Sequence, residues 1–277
     1  MPLIINTNIA SLIAQRNLSV SNANLQVSVQ RLSSGYRVNS AADDAAGLAR
    51  ADQLRSYSRM IQAAMRNIND GVSAMEITDK AAEQITNILT RMGELAASAA
   101  QGTLDDATRT YYNNEYNQLR SEIQRIAQTT EFGGKKLLNG SVTSLTLFIG
   151  FKNSTNDELG ISLAALTVGT NGLNISADAL TSITAAKSAL DTISAALKTV
   201  NDARAIYGAS TNRLQAALSN LQVTFTNFQA AESRIRDADF AFETAMFTRN
   251  QILVQAGVSV LAQANFLPQT VLSLLGG

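Results

Sequence analysis

Between Ile183 and Leu274 the chain repeats a mostly apolar seam at alternating spacings of three and four residues. It runs Ile183, Ala186, Leu190, Ile193, Leu197, Val200, Arg204, Tyr207, Thr211, Leu214, Leu218, Leu221, Phe225 and Phe228. The same phase continues through Glu232, Ile235, Asp239, Phe242, Met246, Arg249, Leu253, Ala256 and Val260. A period near 3.5 held over such a length is the mark of helices packed side by side, not of strands. No proline lies between Pro2 and Pro268 and no glycine between Gly208 and Gly257, so little interrupts the helix. Read as one continuous element, the run from Ile183 to Val260 spans roughly 120 Å at about 1.5 Å per residue. It predicts an elongated rod, which needs a partner along its length.

Composition narrows the chemistry. Of 277 residues 45% are apolar and 16% charged, and 22 basic residues balance 22 acidic ones. No global field therefore draws the chain to nucleic acid or to an anionic membrane. Cysteine, histidine and tryptophan are missing. That excludes His/Cys metal sites, Ser-His-Asp triads and thiol nucleophiles within this chain, so no enzyme and no cofactor is expected. No apolar stretch is long enough for a membrane span. Met1 to Gln15 has no basic region ahead of its apolar residues and does not read as a cleaved secretory signal. Export would have to follow another route.

Both ends are uncharged, over Met1 to Gln15 and over Asn250 to Gly277. After the first comes a heptad-spaced line, Leu18, Asn22, Leu25, Val29 and Leu32, closing at Ser33-Ser34-Gly35. Two readings fit: amphipathic helices packed only on their own protein, or ends buried against copies of it. Ile252, Leu261, Leu272 and Leu275 lie off the main seam, which favours the second. The assembly positions are then Ile5, Ile9, Leu18, Leu25, Leu32, Leu253, Val260, Leu267, Val271 and Leu274. Helices without packing are marginal in water, so these ends are expected to order only on assembly.

Ser40-Ala41-Ala42-Asp43-Asp44 reads as a helix start with a serine cap and acids in the first turn. A seam follows through Ala51, Leu54, Ser58, Ile61, Met65, Ile68, Val72 and Met75, and on to Ala82, Leu89, Met92 and Ala96. Its methionines read as core filler. Gln101-Gly102-Thr103 breaks the helix, and Asp105 or Asp106 opens a shorter one faced by Tyr112, Tyr116, Leu119, Ile123 and Ile126. Phe132-Gly133-Gly134 ends that helix, and Asn139-Gly140 marks a turn. Leu145 to Ile149 and Leu159 to Leu163 read as two strands around a polar loop, Lys152 to Asp157. Gly133-Gly134-Lys135 lacks the spacing of a phosphate loop, and Asn153-Ser154-Thr155 is treated as loop chemistry. The turnaround, Ser141 to Thr181, is expected to face outward and to be dispensable for folding of the rod. The fold expected is mainly α: an elongated antiparallel helical bundle or coiled coil with a small β-hairpin.

Several long motifs resemble bacterial flagellin. They are Ile4-Ile5-Asn6-Thr7-Asn8, the run from Leu32 to Ala49, Ala231 to Asp239, Asn250-Gln251-Ile252-Leu253, Gln263-Ala264-Asn265 and Leu267-Pro268-Gln269. The resemblance implies a terminal helical domain (1–40 and 236–277) forming the filament core. It also implies a rod domain (41–235) with its hairpin near 141–165, and leaves no room for an outer variable domain. Function by resemblance is self-assembly into the extracellular flagellar filament for motility, after export unfolded by the flagellar type III route. The implied partners are other copies of the chain, an export chaperone, the filament cap, the hook-junction proteins and the flagellin-sensing Toll-like receptor. For the receptor, Arg91, Leu95 and Glu115 match the positions it reads, and Gly93 departs from the pattern. A hook–filament junction protein and a soluble coiled-coil adaptor are the alternatives.

Overall fold

The computed structural model describes residues 7–275, with side chains described over 7–266. Ile5 lies outside the described residues. Leu267, Val271 and Leu274 fall on a helix, but their side chains lie outside the described set. Five helices and two small antiparallel pairs of strands make up the described residues: α1 (Ile9–Ser34), α2 (Ala45–Ala99), α3 (Asp106–Thr129), β1 (Glu131–Phe132), β2 (Lys135–Lys136), β3 (Ser144–Phe148), β4 (Glu158–Ser162), α4 (Ile183–Arg236) and α5 (Phe240–Leu275). The expected class, mainly α with a small hairpin, is what the chain forms. It divides into two compact units, one of residues 58–226 and one of residues 1–57 with 227–277.

In the first unit α2 and α4 run antiparallel. Asp79 meets Arg204 at 2.8 Å, Gly71 lies against Leu214, and Gly93 against Ile193. On α2 Ile61, Ile68, Met75, Ala82, Leu89 and Met92 of the seam are fully enclosed, but Leu54, Met65 and Val72 are only half-buried, with Ala64 and Gly71 buried beside the last two. On α4 the large half of the seam is right and the other half is displaced. Ala186, Ile193, Val200, Tyr207, Leu214 and Leu221 are buried, but the alternate positions are Ala189, Ala196, Ala203 and Ser210. Leu190, Leu197 and Leu218 are only half-buried and Arg204 ion-pairs instead. Small residues let the facing backbones approach, so the interior selects them over their larger neighbours.

α3 folds back on α2. Its Arg109, 5% exposed, donates to the carbonyls of Ala99 and Gln101 at 3.1 and 3.2 Å and to Asp106 at 2.8 Å. It thereby satisfies carbonyls that the end of α2 leaves without helical partners. β1 and β2, not anticipated from sequence, pair through Gly133-Gly134, both at positive φ as a two-residue hairpin turn requires. β3 and β4 pair in register from Ser144–Ser162 to Phe148–Glu158, one residue earlier than the strands expected. Gly71 makes room for this hairpin: a Cβ there would sit 2.3 Å from Leu147 Cδ1. Gly71→Val is therefore expected to push Leu147 out and cost about 1–3 kcal/mol, the usual range for overpacking. Hydrogen exchange at β3 and β4 reads this as lost protection while the middle of α4 keeps its own.

The expectation that Ser141 to Thr181 is dispensable is corrected by its packing. Leu159, Ile161, Leu163, Leu166, Leu173, Ile175 and Leu180 are all buried. α3 and α4 also bind the backbone of this segment: Val168 N–H donates to Gln124, Leu180 N–H to Asn113, Ala164 N–H to the Tyr207 hydroxyl, and Arg120 donates to the carbonyls of Ser176 and Asp178. A strandless stretch with no helix of its own can be core only if its backbone is paired this way. Lys152, Asn153, Thr155 and Asn156, at the turn between β3 and β4, do face solvent.

The second unit holds α1, α5 and the ends of α2 and α4. The single long helix read from the seam is broken at Asp237-Ala238-Asp239, and Asp239 starts α5 by accepting the N–H groups of Ala241 and Phe242. The helix start at Ser40 is also corrected. Asp43 accepts from the Asn39 and Ser40 N–H groups to close a turn, and Asp44 caps α2 by accepting Gly47 N–H at 2.8 Å. Aspartate next to the first helical residue can reach that donor, whereas Ser40 is too far back along the chain. The two breaks are tied together. Tyr36 pairs with Asp237, Arg37 N–H donates to the Arg236 carbonyl at 2.7 Å, and Ala238 N–H to that of Gly35 at 2.9 Å. Arg236 stacks 4.3 Å over the Tyr36 ring.

Candidate functional site

The unusual surface of the chain belongs to α1 and α5. They lie antiparallel, Asn8 Nδ2 donating to the Ala264 carbonyl at 2.8 Å at one end and Arg31 facing Glu243 at 3.5 Å at the other. The approach is close. A Cβ on Gly257 would meet Leu18 Cδ1 at 3.2 Å and its Cα at 3.9 Å.

The residues that make this contact are small or polar, and they repeat every seven: Ala14, Ser21 and Ser28 on α1, and Glu243, Asn250, Gly257 and Ala264 on α5. Half-buried Leu18, Leu25 and Leu32 share the α1 face, and Val254 and Leu261 share that of α5. Large apolar residues are thereby left outward. Ile9 is 57% exposed, Leu253 44% and Val260 55%, with Leu12, Ile13, Val20, Val29, Phe242, Ile252 and Phe266 exposed beside them. The α5 seam thus sits one residue later than its reading through Leu253 and Val260, because the break at Asp237 to Asp239 resets the helical phase. The seven-residue spacing of Asn250, Gly257 and Ala264 was the signal available for these contacts, and a search for apolar residues passes over it.

The three receptor positions are split by the fold. Arg91 reaches Glu94 and Glu115, each at 2.9 Å, on the exposed side of α2 and α3, and those bonds, Glu94 first, raise its pKa. Leu95 is 3% exposed and belongs to the core. The described residues include no group of three carboxylates placed to hold a metal and no helix long and apolar enough to cross a membrane. What the surface offers chemically is uncovered hydrocarbon on two helices with few charges, Arg16 and Arg31 on α1 and Glu243 and Arg249 on α5, a surface suited to burial against protein.

The bacterial flagellin N-terminal helical region matches residues 5–143, and its C-terminal helical region matches residues 190–275. A flagellin of Halalkalibacterium halodurans is 40% identical over 99% of this chain and 100% of its own length. Flagellin FlaB1 of Treponema pallidum is 36% identical over 99% of this chain and 100% of its own. In three dimensions the chain resembles the crystal structure of Bacillus cereus flagellin, with a TM-score of 0.50 and 30% identity over 56% of this chain and 88% of that one.

Proposed function

Because the chain belongs to the bacterial flagellin family, we propose a route and a set of contacts for it. It is a structural subunit that self-assembles into the flagellar filament. It leaves the cell unfolded by the flagellar type III route and serves motility. The absence of disulfides suits that passage, because nothing covalent has to be opened first. An export chaperone, the filament cap and the hook-junction proteins are its partners on the way. Full-length similarity to flagellins favours this reading over a junction protein or a soluble adaptor.

The observation that carries the assembly mechanism is the outward hydrocarbon of Ile9 on α1, whose charges are Arg16 and Arg31, and of Leu253 and Val260 on α5, which carries no charge beyond Asn250. In the polymer these side chains are covered by other copies, and apolar area removed from water contributes about 25 cal/mol per Å². Leu18, Leu25 and Leu32 hold α1 against α5 so that the outward residues are presented together. The same surface on a free subunit is marginal in water, so both helices order on assembly. Sedimentation and electron microscopy of the purified chain test the reading: filaments are expected, and a chain that stays monomeric at every concentration opposes it.

Free subunits also engage the flagellin-sensing Toll-like receptor through Arg91 on α2 and Glu115 on α3, with Leu95 packing α2 from the core. Arg91→Ala is expected to lose about 2 kcal/mol of binding or more, the scale of a central arginine contact. Far-ultraviolet circular dichroism should not move, because the side chain is exposed. Undiminished signalling at sub-saturating concentration counts against the assignment.

A further inference from the structure

α2 sorts its charge along its length. From Ala45 to Arg66 it carries four arginines against one aspartate, and beyond Arg66 it carries five carboxylates against Lys80 and Arg91. The helix dipole acts only on the terminal turns and favours the opposite order. Partners within the chain do not account for the sorting either. Asp79 is taken by Arg204 and Glu83 by Lys80, but exposed Arg59, Arg66 and Glu76 have no ion pair among the described residues.

The spacing is specific. Glu76 lies seventeen positions after Arg59, and Glu83 seventeen after Arg66. Seventeen residues advance about 26 Å along a helix and turn it by about 100° from where it began. The arginines and the carboxylates therefore occupy different faces of one rod, each offset from the other by the same step. Beside Glu76 lies an open groove of about 710 Å³, lined also by Met75, Lys80, Gly208 and Thr211. Glycine weakens a helix interior, and Gly71 and Gly257 are explained by the side chains that press on them. A Cβ at Gly208 would meet nothing within 4 Å, so no neighbour inside the chain requires that glycine.

We propose that neighbouring subunits lie side by side in the same direction, shifted by seventeen residues of α2. Arg59 and Arg66 of one copy then meet Glu76 and Glu83 of the next, and Gly208 gives the second copy room in the groove. The proposal rests on the filament reading and adds the register to it. Two different patches, offset along the axis, make a heterologous contact that repeats without closing, as a filament needs. Rim charges of this kind select the register and reject wrong ones.

The test uses the full chain and measures the critical concentration for polymerisation by sedimentation. Arg59→Glu and Glu76→Arg should each raise it by about tenfold or more, the cost of like charges set together. The double charge swap, or an equal mixture of the two single variants, should return to within about threefold of the unsubstituted chain, because the pairs are remade. Gly208→Gln should raise the monomer's melting temperature, through better helix propensity, while it blocks the groove and weakens polymerisation by about tenfold. Single variants that polymerise like the unsubstituted chain overturn the register. So does a double swap no better than its parents when all monomers show unchanged circular dichroism. If the unsubstituted chain itself fails to polymerise, the filament reading falls instead.

Discussion

Val260→Asp is expected to leave the subunit folded and to abolish the filament. In the single chain Val260 is 55% exposed and faces away from α1, so a carboxylate there stays hydrated and removes no contact. In the proposed assembly, the side chain at 260 is enclosed by hydrocarbon from other copies. Burying an unpaired carboxylate costs several kcal/mol, and the cost recurs in every subunit. Every 1.4 kcal/mol is about a factor of ten, so the critical concentration should rise at least about a hundredfold. Val260→Thr, which adds a hydroxyl in nearly the same volume, should give an intermediate loss. Sedimentation reads the polymer, and circular dichroism with thermal melting reads the monomer. A loss of monomer stability equal to the loss of assembly would place Val260 inside the subunit and overturn the argument. Limited proteolysis adds the second half: α1 and α5 should be cut faster in the free chain than in the filament, while α4 resists in both.

Periodicity made the helices legible from sequence, and one of the two seam positions in each heptad held on α2 and α4, at Ile61, Ile68 and Met75 and at Ile193, Val200 and Leu214. The facing residues were harder to read. Periodicity assumes that the largest apolar residue of each repeat points inward, and in all four of α1, α2, α4 and α5 the chain does otherwise in places. Ala189, Ala196 and Ala203 face the interior while Leu190 and Leu197 stand at its edge. Ser28 is buried and Val29 exposed, and Ala264 is buried and Phe266 exposed. In a globular domain that pattern would be costly. It is consistent in a subunit that keeps its small residues for close contact within itself and leaves its hydrocarbon for its neighbours, which one sequence read alone does not separate. The break at Asp237 to Asp239 was hidden for another reason: it contains no glycine or proline. It is held by Tyr36, Arg37 and Gly35, some two hundred positions away, and local propensity carries no trace of them.

The same distinction between local and distant support decides the second large effect. Leu166→Ala should destabilise the unit of residues 58–226 by about 2–5 kcal/mol, the range for emptying an enclosed leucine site. Leu166 is fully buried in a segment with no strand or helix of its own. Its N–H donates to the Leu138 carbonyl at 2.8 Å, and nearby Val168 and Ala164 are held by Gln124 and Tyr207. A cavity at 166 therefore loosens a backbone held by α3, α4, the turn after β2 and its own turns, such as Leu173 N–H to the Thr167 carbonyl and Ile175 N–H to that of Val168. Farther along, Tyr116 donates to Asp178, and burial first and that carboxylate second keep its phenol protonated far above neutral pH, so alkali within the range where proteins survive should not release it. An insertion of a peptide tag after Thr155 enters the same turnaround but at an exposed loop, and should cost little and remain open to antibody. Urea unfolding of both variants discriminates. The tagged chain should keep the midpoint of its parent, and Leu166→Ala should lower it with an unchanged slope. Equal midpoints for the two would mean that residues 163–181 are an appendage after all, and that the leucines buried there contribute nothing to the fold.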